Sequence, residues 1–235
     1  IEDAETDVID IGAEMTHLTA DIIHRAIFNV PIADEAVAVL ANRFPTFQKA
    51  AHLDFVGSLL GIPRPLKALS RRAAVRDATD LRQAFRAALA KADDSGGLIA
   101  ELKSAFNGEA DQEALLDDVM VMLLAGHETS AAALTWAVVA LAERPELQDS
   151  VRAEVRSALK KGPLTPAALS ALPLTRAVFR EALRLYPPIP FYPRRATKDG
   201  RIGVTPVARG DAVLVCPWIT HRRPQRWTNP LVFDP

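Results

Sequence analysis

The sequence holds a single cysteine in 235 residues. That excludes an internal disulfide framework and any zinc site built from several cysteines. Aromatic residues supply only 6% of the chain while alanine is abundant, which favours helices over a β-sandwich. No sign of charge dominates: 28 lysines and arginines face 29 aspartates and glutamates. A net charge of −1 gives no field to draw in nucleic acid, so a polybasic DNA binder is disfavoured. An unbroken hydrophobic run of membrane-spanning length is also missing. The longest apolar stretch, Val119 to Leu141, is interrupted by His127-Glu128-Thr129-Ser130, and ionisable groups at mid-span are costly in lipid. A buried helix in a soluble core is expected there. The opening stretch carries Glu2, Asp3, Glu5, Asp7, Asp10 and Glu14 and no basic residue, opposite to a signal or transit peptide. A cytoplasmic location is expected, a membrane anchor upstream of Ile1 being the alternative.

The sequence does hold 49% hydrophobic and 24% charged residues, enough for one buried core, or a core and a small lobe. Up to about Tyr186 the pattern predicts helices. One covers Ala33 to about Ala51 with a break near Pro45, and Gly61-Ile62-Pro63-Arg64-Pro65 marks a turn after it. Leu66 to Lys91 follows as a long helix, with eight basic and two acidic residues from Arg64 onward. That charge is expected as a solvated face rather than a binding surface. Asp93 to Gly97 breaks the chain, Leu98 to Phe106 makes a short helix, and Asn107-Gly108 breaks it again. Asp111 is then expected to cap a helix running to about Glu143, with Glu113, Asp117 and Asp118 near its positive end. Such a helix is roughly 48 Å long at ~1.5 Å per residue. Pro145 and Pro173 each suit a first helical turn, one helix running through Lys160 and the other to Tyr186.

From Pro187 the texture changes, and nine of the 17 prolines lie there. Lys198-Asp199-Gly200, between short runs at Arg195 to Thr197 and Arg201 to Val204, signals a hairpin. Ala212 to Cys216 reads as a short strand after the Arg209-Gly210 turn. The expected organisation is a helical body, 1–186, and a small β-rich segment, 187–235, forming one incomplete domain. The start at Ile1 without a methionine and the stop at Phe233-Asp234-Pro235 suggest an internal stretch of a longer protein.

Ala125-Gly126-His127-Glu128-Thr129-Ser130 is the most informative hexapeptide. On a helix, Ala125, Gly126 and Thr129 share one face, with Glu128 on its flank and His127 pointing away. Gly126 costs up to about 1 kcal/mol against alanine in a helix interior, so something must offset it. Two small residues beside a hydroxyl make a shallow notch for a flat ligand, and the hydroxyl with a neighbouring carboxylate can relay protons. A small-residue helix crossing explains the same residues equally well. A zinc reading fails, because the second histidine of His-Glu-x-x-His would fall at Ala131. Later in the chain, Glu181 and Arg184 stand three apart, a spacing at which an ion pair forms on one helix face.

In combination, these motifs resemble the cytochrome P450 family of haem-thiolate monooxygenases. Ala125 to Ser130 matches the family's oxygen-activation motif in its long central helix. Leu141-Ala142-Glu143-Arg144-Pro145-Glu146-Leu147-Gln148 is similar to its junction into the next helix. Glu181-x-x-Arg184 followed by Leu185-Tyr186-Pro187-Pro188 matches its core ion-pair helix. His221-Arg222-Arg223-Pro224, Trp227 and Asn229-Pro230 resemble the stretch before its Phe-x-Pro-x-Arg-Phe meander, whose first half would be Phe233-Asp234-Pro235. The likeness is strongest from about Glu109 onward. It implies a mainly α fold, the central part of the cytochrome P450 fold, with a small β-rich segment at the C-terminal end.

The resemblance also implies roles. Ala125 and Gly126 would lie over the distal face of haem b, and Thr129 would hydrogen-bond the iron-bound peroxo species. Glu128 would belong to the proton route, and Arg194 would bind a haem propionate. Ile189, Pro190, Phe191 and Tyr192 would line the substrate side. Glu181 and Arg184 would be structural, tying their helix to the meander, and Pro31 to Pro65 would form the lid over the access channel. The implied reaction inserts one atom of dioxygen into an apolar small molecule, with electrons from a ferredoxin or flavoprotein reductase. Two expectations limit this. The iron-ligand cysteine belongs downstream of Pro235, together with the meander arginine, and Cys216 is expected to be a small buried hydrophobe, so no metal ligand is assigned. The rivals are a haem peroxygenase or rearranging enzyme of the same fold, and an inert helical binding protein that uses Gly126 for packing.

Overall fold

A computed structural model describes residues 8–31, 43–44, 46–50, 53–54, 57, 68–91, 97–106, 109–160, 162–163 and 165–235. Most of the expected lid at Pro31 to Pro65, the turn at Gly61 to Pro65 and most of the Ala33 to Ala51 helix lie outside them. Seven α-helices are described by bounds: α1 (Ile11–Phe28), α2 (Ala68–Lys91), α3 (Gly97–Ala105), α4 (Glu109–Ala142), α5 (Pro145–Leu159), α6 (Pro173–Leu185) and α7 (Pro217–Thr220). Short strands β1 (Tyr192–Arg195), β2 (Gly200–Ile202), β3 (Thr205–Val207) and β4 (Ala212–Val215) lie between α6 and α7. The chain is mainly helical with a small β-rich segment, as expected from its sequence. Among the described residues no helix is long and apolar enough to cross a membrane.

The chain forms two compact units. One comprises Ala13–Glu128, and the other comprises Ile1–Gly12 with Thr129–Pro235. The β-rich segment falls in the same unit as α5 and α6 because Arg184 of α6 binds the backbone of residues 221–232 directly.

In the Ala13–Glu128 unit, α1 buries Met15, Thr19, Ala20, His24, Ile27 and Phe28, a stripe at helical spacing. Ile27 and Phe28 join Leu81 and Phe85 of α2, Ile99 of α3, and Leu116, Val119 and Leu123 of α4 in one apolar cluster. Asn29, at φ 58°, ends α1 in the left-handed region, and its N–H donates to Arg25 O at 2.9 Å. His24 straps the same end: its Nδ1–H donates to Val30 O at 2.9 Å and its ring lies 4.6 Å from that of Phe28. Acidic residues at the start of α4 meet the basic helix. Glu113 accepts from Arg82 and Arg86, each at 2.6 Å, and Asp117 also pairs with Arg82. The expected Asp111 cap is corrected, since α4 already begins at Glu109 and Asp111 lies within its first turn.

In the other unit, Ala137 and Ala140 of α4 pack with Val178, Ala182 and Leu185 of α6 and with Phe233. The first turn of α6 is completed by Glu154 of α5, which accepts from Leu174 N and Thr175 N, both at 2.8 Å, and from Thr175 Oγ1 at 2.6 Å. Burial pushes this carboxyl up, but those three hydrogen bonds outweigh it and hold it below its ordinary value. Strand β1 pairs antiparallel with β4, and β2 with β3. The expected turn at Lys198-Asp199-Gly200 is corrected. The hairpin closes at Gly203-Val204, between paired Ile202 and Thr205, and Gly203 carries φ 59°. A two-residue loop with glycine first matches strand twist, which the three-residue signal does not.

Burial lowers the His24 pKa, outweighing the bond to Val30 and the Asp21 charge that raise it. The folded state then binds this proton less readily than the unfolded chain. Stability should be full above the unfolded imidazole value of about 6.5 and fall on acidification below it. Melting temperatures at about pH 7.5 and 5.5 should differ in the natural chain and differ less in His24→Asn. An equal acid loss in both would contradict the assignment.

Candidate functional site

The helix α4 carries the polar hexapeptide at its middle. At about 100° per residue, Val121, Met122, Ala125, Thr129 and Ala132 fall within an arc of roughly 100°. Val121, Met122 and Ala125 are exposed, and Thr129 and Ala132 are half-buried. An apolar helix face is therefore open, and its middle residue, Ala125, is small.

Gly126 does not share that openness. A Cβ on Gly126 would stand 3.0 Å from both Cδ1 and Cγ1 of Ile23 on α1. The glycine allows α1 to approach α4, and this offsets its cost in a helix interior. The expected notch formed by Ala125 and Gly126 is corrected accordingly: the side-chain position of Gly126 is filled by Ile23, and only Ala125 stays on the open face. Thr19 of the same helix reinforces the crossing, with Oγ1 2.9 Å from His127 O and 2.8 Å from Met15 O.

His127 is 3% exposed. Its Nδ1–H donates to Leu123 O at 2.9 Å, and its ring lies 5.3 Å from that of Phe44. It is a satisfied core histidine. Beside it, the Glu128 carboxylate accepts a hydrogen bond from Gln48 Nε2. No spacing in the sequence pointed to that partner, which is 80 residues away. Among the described residues, no group of three or more histidines, cysteines or carboxylates could hold a metal ion.

Glu181 and Arg184 meet as a two-pronged ion pair, Arg184 Nε and Nη2 each 2.7 Å from a carboxylate oxygen. They are 8% and 6% exposed, so this is a buried pair. Arg184 Nη1 also donates to His221 O at 2.9 Å and Pro230 O at 2.8 Å, and Nη2 donates to Val232 O at 2.9 Å. A guanidinium has five N–H donors, and these contacts use all of them. The Trp227 ring covers the guanidinium at 4.9 Å, and Asp234 N donates to Glu181 Oε1 at 3.0 Å. Burial raises the Glu181 carboxyl, but the Arg184 and Asp234 hydrogen bonds and the Arg184 charge together hold it below its ordinary value.

The remaining candidates lie along one exposed stretch. Ile189, Pro190 and Phe191 are exposed and Tyr192 is half-buried. Arg194 on β1 is exposed, donates to Pro193 O at 3.0 Å and covers the Tyr192 ring at 4.7 Å. Cys216 is half-buried rather than buried, because it follows β4 at the surface, and its Sγ–H donates to Pro190 O at 3.3 Å.

The order of these features along the chain finds its counterpart among known proteins. The family model described as cytochrome P450 matches residues 2–235. The chain belongs to the cytochrome P450 family. Cyclooctatin synthase of Streptomyces melanosporofaciens is 33% identical over 236 residues, covering 97% of this chain and 51% of that protein. Cytokinin hydroxylase of Arabidopsis thaliana is 30% identical over 238 residues, covering 93% of this chain and 45% of that protein. The crystal structure of the cytochrome P450DA haem domain superposes with a TM-score of 0.77 at 24% identity, covering 99% of this chain and 52% of that one. It shares the fold. The chain spans about half the length of the curated P450 relatives that it matches along most of its own length.

Membership of the P450 family implies a haem cofactor. An open apolar helix face with a small residue at its middle suits a flat macrocycle. Arg194 offers an exposed cation suited to a carboxylate.

Two substitutions test this geometry. Arg184→Ala leaves the Glu181 charge buried without its partner and should cost about 3–5 kcal/mol in urea unfolding. A loss under about 1 kcal/mol would mean the pair behaves as a surface contact. Gly126→Ala should destabilise by about 1 kcal/mol or more where Ile23 is present, yet stabilise in an Ile23→Ala background, where helix propensity alone acts. The same sign in both backgrounds would reject the crossing as the reason for the glycine.

Proposed function

We propose that the protein containing this chain is a haem monooxygenase, inserting one atom of dioxygen into an apolar small-molecule substrate. Electrons would come from a ferredoxin or flavoprotein reductase. The observation that carries this reading is the Glu128-Thr129 pair directly beside the exposed Ala125 face of α4. In sum, the substrate gains one oxygen atom, and two electrons and two protons reduce the other to water. When bound, haem supplies the oxygen-activating centre. Ala125 holds the cofactor side of the helix open, and Arg194 provides a cation for a propionate. The Thr129 hydroxyl can donate and accept at once, so it can hold a proton in position over that face. Glu128, one residue earlier, can take up and release a proton, which suits resupply of the hydroxyl. Ile189, Pro190, Phe191 and Tyr192 supply an apolar stretch for the substrate. The relative named cytokinin hydroxylase supports oxygen insertion as the reaction class.

Thr129→Ala in the full-length protein tests the pair. With an apolar compound that supports turnover, electron consumption should continue while product per electron pair falls about tenfold and peroxide rises. Unchanged coupling would remove Thr129 from the role. Turnover with added peroxide but none with an electron donor would favour the peroxygenase reading instead.

A further inference from the structure

Gln48 and Phe44 lie four residues apart, among helical residues 43–44 and 46–50, and touch adjacent residues of α4. Phe44 is buried, with its ring 5.3 Å from His127, and Phe47 packs beside it at 6.4 Å between centroids. Gln48 is half-buried, and its Nε2 donates to Glu128 Oε2. The amide is thus held at the carboxylate by an aromatic anchor four residues away, not by a mobile surface side chain.

The chemistry of this partner is informative. A lysine or arginine at position 48 would offer donors alone and would favour the ionised carboxylate. A glutamine amide offers a donor on one side and an acceptor on the other. It can donate to an ionised carboxylate or, after turning over, accept from a protonated carboxyl. A carboxyl that cycles a proton needs a partner serving both states.

We infer that Gln48 is a positioning residue for Glu128, keeping the carboxyl in one place through both of its protonation states. This rests on the reading of Glu128 as a proton-transfer group. Gln48 itself touches no reacting atom.

The test uses the full-length haem-loaded protein with four variants: Gln48→Met, Gln48→Lys, Glu128→Gln and the double variant Gln48→Met/Glu128→Gln. Gln48→Met, similar in shape but unable to bond, should lower product per electron pair about 2- to 10-fold, the factor one hydrogen bond supplies. Gln48→Lys should not restore it, since a donor without an acceptor serves only one state. The double variant should be no worse than Glu128→Gln alone. A second readout needs no turnover: in the reduced, carbon-monoxide-bound protein, the Gln48 side-chain amide resonance should titrate with pH and lose that step in Glu128→Gln.

Full coupling in Gln48→Met, full rescue by Gln48→Lys, or an amide resonance indifferent to Glu128→Gln would overturn the inference while leaving Glu128 in its role. Unchanged coupling in Glu128→Gln would instead remove the underlying reading, and the inference with it.

Discussion

Arg184 is where a local pattern becomes a tertiary constraint. Two of its five donors bind Glu181 within the same helix, and three bind the carbonyls of His221, Pro230 and Val232. Residues 221–235 contain turns but no strand or helix, so their backbone oxygens have no ladder to pair with. A guanidinium with its fixed fork satisfies three of them at once. Removing an ion pair from water carries a large desolvation cost, which only complete hydrogen bonding offsets. Here no donor is left over, and the Asp234 N–H contributes to the carboxylate side.

The long helix meets three demands within five residues. At Gly126 it must admit Ile23, at Ala125 it must stay open, and at Glu128-Thr129 it must carry polar groups through an apolar sequence. Helix geometry separates these demands, because neighbouring residues point in different directions. His127 points to the core and satisfies its ring on the preceding turn, and Glu128 pairs with Gln48. The glycine is therefore a packing residue inside a functional motif. Its conformational cost belongs to the crossing of α1 and α4.

What could be read from the sequence follows from the range of each interaction. The helix α4, the ion-pair spacing of Glu181 and Arg184, and the helix starts at Pro145 and Pro173 depend on neighbours within a turn or two, and sequence carries these. Acidic residues at a helix start serve equally well as caps and as partners for another helix, and here Arg82 and Arg86 use Glu113 and Asp117. Lys198-Asp199-Gly200 outweighs Gly203-Val204 in turn composition, although of the two only Gly203-Val204 closes two paired strands. Ile23 on Gly126, and Gln48 on Glu128, are contacts across many tens of residues. The glycine itself signals a close crossing, but no local pattern names Ile23 as the neighbour or Gln48 as the partner of Glu128.

The proposal at the centre of this account is that the protein containing this chain is a haem-thiolate oxygenase whose iron ligand is not Cys216. It is tested most directly by the absorption spectrum of the full-length protein, reduced and exposed to carbon monoxide, in the natural form and in Cys216→Ser. Both should show the red-shifted Soret band of a thiolate-ligated haem with equal intensity. Absence of the shifted band in the natural protein, or its loss in Cys216→Ser alone, would contradict the account.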